Sequence, residues 1–404
     1  MFATIIAGIT TLLTVVGLGY YLLALWSARA YLRRPRFPAP GFAPPVSILK
    51  PLHGLDAGMP EAFASHGRQE YCGEYEILFS VSSLDDPAVE MVRQFQADFP
   101  DRSIRLIHCP EDLGPNGKVS NLAQLLPHAR YDYIVIGDSD IHVGPHYLTR
   151  ILAPFAPQPN LAPVGLVTAL YRGMTHLTPG SKMEALGIAT DFAPAVLTAR
   201  LLEGGLHFGL GSTLAVSRPA LDGIGGLAPL VEYLADDYEL GARISAAGFR
   251  VELSDEVVET SVAPWSLSGY LHHQLRWSRA MRESRRSGYV GLLFSFGLTW
   301  SLFNLIASGL SLFAFALFSL ALLFRVSLAL GVGVGILEDR QVLRDLWLLI
   351  PRDVLALGIW AWSYASDAVA WRDERFLLKK GKLIRIESGK SLGETVPAGT
   401  DGEG

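Results

Sequence analysis

Cysteine is almost absent from this chain: Cys72 and Cys109 are the only two in 404 residues. Two thiols imply no disulfide framework and read as reduced, structural side chains. Charge is scarce as well. Asp, Glu, Lys and Arg make up 18 % of the sequence, against about 25 % in ordinary soluble domains. Nor is there a surplus of positive charge. The net charge of −5 excludes the electrostatic footprint of a nucleic-acid binder. The sequence has no internal repeat and no low-complexity tract. What it has instead is apolar residues, half of the total, and they are concentrated in blocks.

The first block runs from Phe2 to Ser27, and a bilayer core needs about 20 such residues for a helical span. Arg29, Arg33, Arg34 and Arg36 follow it, which marks that flank as cytoplasmic. A cleaved signal peptide would carry its charge on the other flank and would be shorter. A second block, Tyr289 to Leu337, is long enough for two spans, or for one span and an interfacial helix. A third, 346–364, is interrupted by Pro351, Arg352 and Asp353. The tail carries Arg372, Arg375, Lys379, Lys380, Lys382 and Arg385, which favours a cytosolic end and hence an even number of crossings after the polar region.

That polar region, about 40–288, is large enough for one globular domain, and a Pro-rich joint, Pro38 to Pro45, sets it off from the first span. Apolar runs predict strands at Val46–Leu49, Ile77–Val81, Ile104–Ile107, Tyr133–Ile136, Leu166–Thr168 and Leu214–Val216. Helical spacing, as in Val92, Phe95 and Phe99, separates them. Alternation of this kind predicts an α/β sheet, whose ligands bind at the carboxyl ends of strands.

Chemistry-bearing residues stand at those ends. Asp138-Ser139-Asp140 follows a predicted strand and places two carboxylates where a divalent cation and a ribose could share them; the same triplet would also suit a turn. Asp85-Asp86-Pro87 suits a nucleoside contact or a helix cap. Lys118 and Asn121 sit where a loop enters a helix, a setting that favours phosphate, although no P-loop spacing is present. Asp236 and Asp237 open a helical pattern. They read as dipole-stabilised carboxylates or as a general base that the dipole keeps ionised. His273, Arg276 and Trp277 begin a basic stretch that continues through Arg279, Arg282, Arg285 and Arg286. Arginine there suits a diphosphate or the anionic headgroups of a membrane surface, the latter expected over 276–286.

In this order the stations resemble those of the ceramide glucosyltransferase family, including its bacterial hopanoid-associated members. Lys50-Pro51-Leu52-His53-Gly54-Leu55-Asp56 is similar to the opening segment of that family, Lys118 and Asn121 to its K-x-x-N step, and Asp138-Ser139-Asp140 to its nucleotide and metal station. Leu234-Ala235-Asp236-Asp237-Tyr238 is similar to its base segment, and His273 to Trp277 to its final (Q/R)-x-x-R-W station. Two departures stand out: His273 replaces Gln or Arg, and no Ser-His-Pro stretch occurs around Asp191-Phe192.

The resemblance implies an α/β domain of the GT-A type (a nucleotide-diphospho-sugar transferase domain) flanked by transmembrane helices. The boundaries it suggests are an N-terminal helix at 1–28, the transferase domain at 40–275, a basic interfacial helix at 276–288, a membrane region at 289–370 and a cytosolic tail at 371–404. It further implies transfer of glucose or N-acetylglucosamine from a UDP-sugar to a hydroxyl of a membrane lipid, hopanoid or ceramide, with inversion. Asp237, assisted by Asp236, would be the catalytic base; Asp85, Lys118, Asn121, Asp138, His273, Arg276 and Trp277 would hold the nucleotide-sugar; and Asp138 and Asp140 would hold Mg2+ or Mn2+. The expected setting is a multi-pass protein of a bacterial inner membrane with its catalytic domain in the cytoplasm. A processive polysaccharide synthase and a non-enzymatic membrane scaffold remain as alternatives; the short C-terminal membrane block speaks against the first and the intact carboxylates against the second.

Overall fold

The computed structural model describes residues 2–37, 41–371 and 374–386. Part of the Pro-rich joint, Arg372 and the tail beyond 386 lie outside the described residues. In chain order the strands are β1 (Val46–Pro51), β2 (Tyr75–Val81), β3 (Ser103–His108), β4 (Tyr133–Ile136), β5 (Ile141–His142), β6 (Val164–Met174), β7 (Leu214–Ser217) and β8 (Arg250–Ser261), then β9 (Ala368–Trp371), β10 (Glu374–Lys379) and β11 (Lys382–Arg385). The first eight form one mixed sheet in the order β3-β2-β1-β4-β7-β6-β8-β5. The unbroken apolar runs of β1 and β2 are covered on both faces, which is why neither shows a polar alternation.

Pairing directions decide where the ends of the strands lie. β1, β2, β3 and β4 run parallel, and β7 is antiparallel to both β4 and β6, so β6 runs with β4. β8 runs parallel to β6. The carboxyl ends of β1, β2, β4, β6 and β8 therefore share one edge of the sheet, and the loops that leave them carry Asp56, Asp85 and Asp138–Asp140.

Each of the six expected strands forms, but the longest, β8, was not expected. Its apolar residues are interspersed with Glu252, Glu256 and Glu259, which hide the pattern. Arg250, Arg150 and Arg172 pair with these carboxylates at 2.8, 2.8 and 2.6 Å respectively, so the charges are neutralised within the sheet.

Three helical stretches are long and apolar enough to cross a membrane: Ala3–Arg33, Pro179–Leu202 and Leu312–Val334. Arg286–Ser295 and Gly297–Ala307, bent by 50°, together make a fourth, broken one. The Pro179–Leu202 stretch lies along the sheet rather than away from it. Met174, before it, pairs with Ser261 at one end of β8, and Leu206, after it, bridges Val251 at the other. An open sheet does not lie within the hydrocarbon of a bilayer, so a stretch laid along this one does not cross it.

The N-terminal helix packs on the broken one where Gly17 faces Gly297, whose lack of side chains lets the backbones approach. The Leu298 N–H donates to the Tyr21 hydroxyl at 2.9 Å, and the Thr11 hydroxyl donates to Asn304 Oδ1 at 2.9 Å. Just beyond its C-terminal end, Arg34 pairs with Asp255 of β8 at 2.9 Å.

The interruption in the third apolar block has a structural reason. Arg352 and Asp353 point inward from the helix Leu349–Trp362. Arg325, 1 % exposed, donates to Asp353 Oδ2 at 2.7 Å, to Asp191 Oδ1 at 2.6 Å and to the Thr190 carbonyl at 2.9 Å, while Arg352 also pairs with Asp191. Asp191 belongs to a π turn, Ile188–Phe192, lying on the sheet. The cluster thus joins membrane helices to the polar domain.

Arg325→Leu would leave the buried Asp353 with only its longer contact to Arg352, at 3.3 Å. We expect a loss of about 3–5 kcal/mol, read as a lower thermal unfolding midpoint in detergent. The double variant Arg325→Leu/Asp353→Leu should regain part of it; a double variant as unstable as the single one would refute the pairing account.

Candidate functional site

Two lysines organise the edge of the sheet. Lys50, at the end of β1, is fully buried, and its Nζ donates to the Asp138 carbonyl at 2.8 Å. Burial lowers its pKa to about 8, against the pull of Asp140 and Asp138. It holds the turn after β4 from below. Ser139 donates to Asp56 Oδ2, and the Thr260 hydroxyl of β8 donates to Asp140 Oδ2 at 2.6 Å. These bonds fix the triplet with its two carboxylates on the edge of the sheet.

Lys118 acts from the side. Its Nζ lies 2.7 Å from Asp138 Oδ1 and 3.8 Å from Asp236 Oδ2. Burial alone would lower its pKa, but Asp138, Asp236 and Asp237 outweigh burial and raise it. Asn116 caps the Lys118 helix by accepting from Val119 N at 3.1 Å, and its amide donates to the Tyr233 carbonyl at 2.7 Å. The loop of Lys118 and the loop before Asp236 are therefore bound together.

Asp236 and Asp237 open the helix Asp236–Ala246. Gly209 and Gly211 face Asp237, where a Cβ on Gly211 would come within 3.1 Å of its Oδ2. Burial and a neighbouring charge, rather than the helix dipole, set the pKa of this carboxylate. Burial first, and then repulsion from Asp236, raise Asp237 to about 6, although its Oδ1 accepts from Tyr238 N at 2.8 Å. Asp236 is raised too, by burial, with Lys118 opposing. A carboxylate near 6 is better matched to moving a proton at neutral pH than one near 4.

The structure thus gathers Lys118, Asp138, Asp140, Asp236 and Asp237. Asn121 is buried in the Lys118 helix. Asp85 is exposed beyond β2, while Asp86 accepts from Gly54 N at 2.9 Å and Ala88 N at 2.8 Å, tying the loop after β1 to the next helix. His273, Arg276 and Trp277 share the helix Leu267–Ser284. Trp277 contacts Phe192, and Phe192 contacts Tyr171 of β6, at ring separations of 6.4 and 5.2 Å. The pKa of Tyr171 is raised by burial and then by the charges of Asp237, Glu184, Asp138 and Asp140, which locates it among them.

Two expectations change. Both ring nitrogens of His273 already have protein partners, Glu184 and Trp277, so neither is left for a diphosphate. The basic stretch is largely used inside the protein rather than on headgroups. Arg279 donates to the Ala368 carbonyl, Arg282 pairs with Asp367, Arg285 with Glu203, and Arg286 with Glu283. The contacts of Arg279 and Arg282 dock the sheet β9–β11 against the helix. That sheet also reaches the base loop: Leu383 N donates to the Glu232 carbonyl at 2.7 Å and Leu234 N to the Gly381 carbonyl at 3.2 Å.

Lys50, Thr260, Glu184 and Tyr171 were missed as contributors. Only Lys50 had a visible signal, a lone lysine closing an apolar strand. Cys109, buried and raised to about 11 by that burial, is an inert thiol.

Among the described residues no group of three or more His, Cys, Asp or Glu is arranged to hold a metal ion. Asp138 and Asp140 nonetheless suit a hard cation. Asp140 is raised to about 6 by burial and by the charge of Asp138, a crowding that a cation would relieve. Mg2+ is commonly bound through one or two carboxylates, with substrate phosphates and water completing the sphere.

The sequence profile of the family described as Glycosyl transferase family 21 matches residues 9–384. Ceramide glucosyltransferase 3 of Caenorhabditis elegans is 26 % identical over 276 residues, 67 % of this chain and 59 % of the relative, so the chain spans less than two thirds of that protein. Ceramide glucosyltransferase 1 of the same organism is 23 % identical over 358 residues, 85 % of this chain and 73 % of the relative. Among solved structures, a mannosyltransferase from Pyrobaculum calidifontis in complex with GDP-Man and Mn2+ superposes with a TM-score of 0.54 at 19 % identity, covering 88 % of this chain and 99 % of that one. The fold is that of a GT-A domain.

The charge of Lys118 holds down the pKa values of Asp236 and Asp237. In Lys118→Met the raised pKa of Asp237 should climb further, by about one unit. Any activity that needs the ionised form falls as pH drops through about 6 in the wild type. In the variant the fall should begin at higher pH. A pH profile with an unmoved acid limb would contradict the arrangement.

Proposed function

The chain belongs to glycosyl transferase family 21, and on that footing we propose that it transfers a hexose, glucose or N-acetylglucosamine, from a UDP-sugar to a hydroxyl group of a membrane lipid, ceramide or hopanoid, with inversion. The observation that carries this reading is the position of Lys118, whose ammonium lies between Asp138 and Asp236 and so couples a donor station to a base station. The spans on either side keep the site at a bilayer, where a lipid hydroxyl is presented. The arginines after the first span support a cytoplasmic site, in our reading at a bacterial inner membrane.

In this mechanism Asp85 takes the nucleoside end, and Asn121 and Arg276 line the donor site. Lys118 faces the diphosphate. Asp138 and Asp140 are the residues that would hold Mg2+ or Mn2+, which when bound neutralises charge growing on the leaving diphosphate. Asp237 takes the proton of the acceptor hydroxyl as its oxygen attacks the anomeric carbon. The C–O bond to the diphosphate breaks on the opposite face, so one displacement inverts the centre. Asp236 keeps its neighbour's pKa high enough to accept that proton at neutral pH.

Replacing Asp237 with Asn removes the base without changing the shape of the site. Turnover should fall by about 10²–10⁴-fold, while UDP binding, measured by calorimetry in the presence of Mg2+, persists. Near-normal turnover in this variant would remove Asp237 from the role. Mass spectrometry of lipids from cells with and without the protein would identify sugar and acceptor; a polymer in place of a single-sugar lipid would favour a processive synthase.

A further inference from the structure

His273 lies between two groups that dictate its state. Its Nδ1 is 3.1 Å from Glu184 Oε2, and the indole N–H of Trp277 donates to its Nε2 at 2.9 Å. An ionised carboxylate only accepts and an indole only donates, so the proton sits on Nδ1 and Nε2 is bare. The side chains of His273 and Glu184 are both well covered, at 14 % and 11 % exposure. Trp265 lies against the ring at 5.0 Å. The indole of Trp277 is more open, at 40 %, and its other contact is Phe192, which leads to Tyr171 among the catalytic carboxylates.

We propose that Glu184 and His273 are positioning residues that lock the indole of Trp277 as a wall of the acceptor site. What that wall serves rests on the transferase reading above; the lock itself does not. The chain of bonds runs from the helix Pro179–Gly187 through His273 to the indole, so the ring is held by two elements rather than by its own helix alone.

This arrangement suits histidine and glutamine alike. Neutral histidine offers one N–H and one acceptor nitrogen. The end of a glutamine side chain offers an N–H and a carbonyl oxygen, and so can bond to both Glu184 and Trp277. An arginine has no acceptor and cannot receive the indole N–H.

The test uses the full-length protein in detergent, with its tryptophan indoles labelled with 15N and the Trp277 resonance assigned by Trp277→Phe. The Trp277 indole N–H should shift in His273→Ala and return towards its wild-type position in His273→Gln. Glu184→Gln should shift it as well. Where sugar transfer is measured, His273→Ala should lower kcat by about 10- to 100-fold, and His273→Gln should recover most of that loss. A Trp277 resonance that stays in place in His273→Ala, or that His273→Gln fails to restore, would overturn the lock whatever the reaction proves to be. Resonances that behave as expected in a protein transferring no sugar would overturn only the transferase reading.

Discussion

An ammonium group set among carboxylates is the constraint on which the site depends. Asp138, Asp236 and Asp237 come from two separate loops and would repel one another if brought together unaided. Lys118 offsets that repulsion directly, and Lys50 supports the Asp138 backbone from beneath without touching its carboxylate. The compensation is partial. Asp140 and Asp237 both remain raised to about 6, so the site keeps an excess of negative charge that suits cationic or proton-bearing partners. The glycines opposite Asp237 serve the same end, since close approach of two backbone segments shields that carboxylate from water and so contributes to its raised pKa.

Around this centre the protein uses charge sparingly but deep. Most arginines of the basic helix Leu267–Ser284 and of the membrane region are committed to internal partners. Arg325 and Arg352 join Asp191 and Asp353 where a membrane helix, a helix near it and the π turn meet. A buried cluster of this kind adds little net stability compared with well-packed apolar residues, but it penalises any arrangement that separates its members. It therefore fixes how the transferase fold sits on its helices rather than how firmly it folds.

The sequence made the frame of this protein legible because apolar runs report burial. β1, β2, β4 and β7 are covered on both faces and could be read directly, and the N-terminal helix equally so. β8 escaped because two of its glutamates, Glu256 and Glu259, are neutralised by arginines distant in sequence, a compensation invisible until the chain is folded. The carboxylates of the site were visible as residues at strand and helix ends. Their energetics were not, since the dipole at Asp237 is a local property while burial and the nearness of Asp236 in a closed loop are tertiary ones. Glu184 gave no signal at all: it is one acid on a mostly apolar helix, and its meaning comes only from the histidine placed against it across 89 residues.

The small sheet β9–β11 bears on how the molecule is made. Its last strand and turn supply hydrogen bonds to Glu232 and Leu234, the backbone leading into Asp236 and Asp237. Those donors and acceptors lie beyond the candidate spans found among the described residues, so during translation they emerge after those spans have been synthesised. The base loop then acquires its full set of bonds only in a chain whose membrane segments have already been synthesised. Completion of the site is in this way ordered in time behind insertion into the bilayer, and a nascent chain stalled before that point would carry its carboxylates without the backbone support that holds them in register.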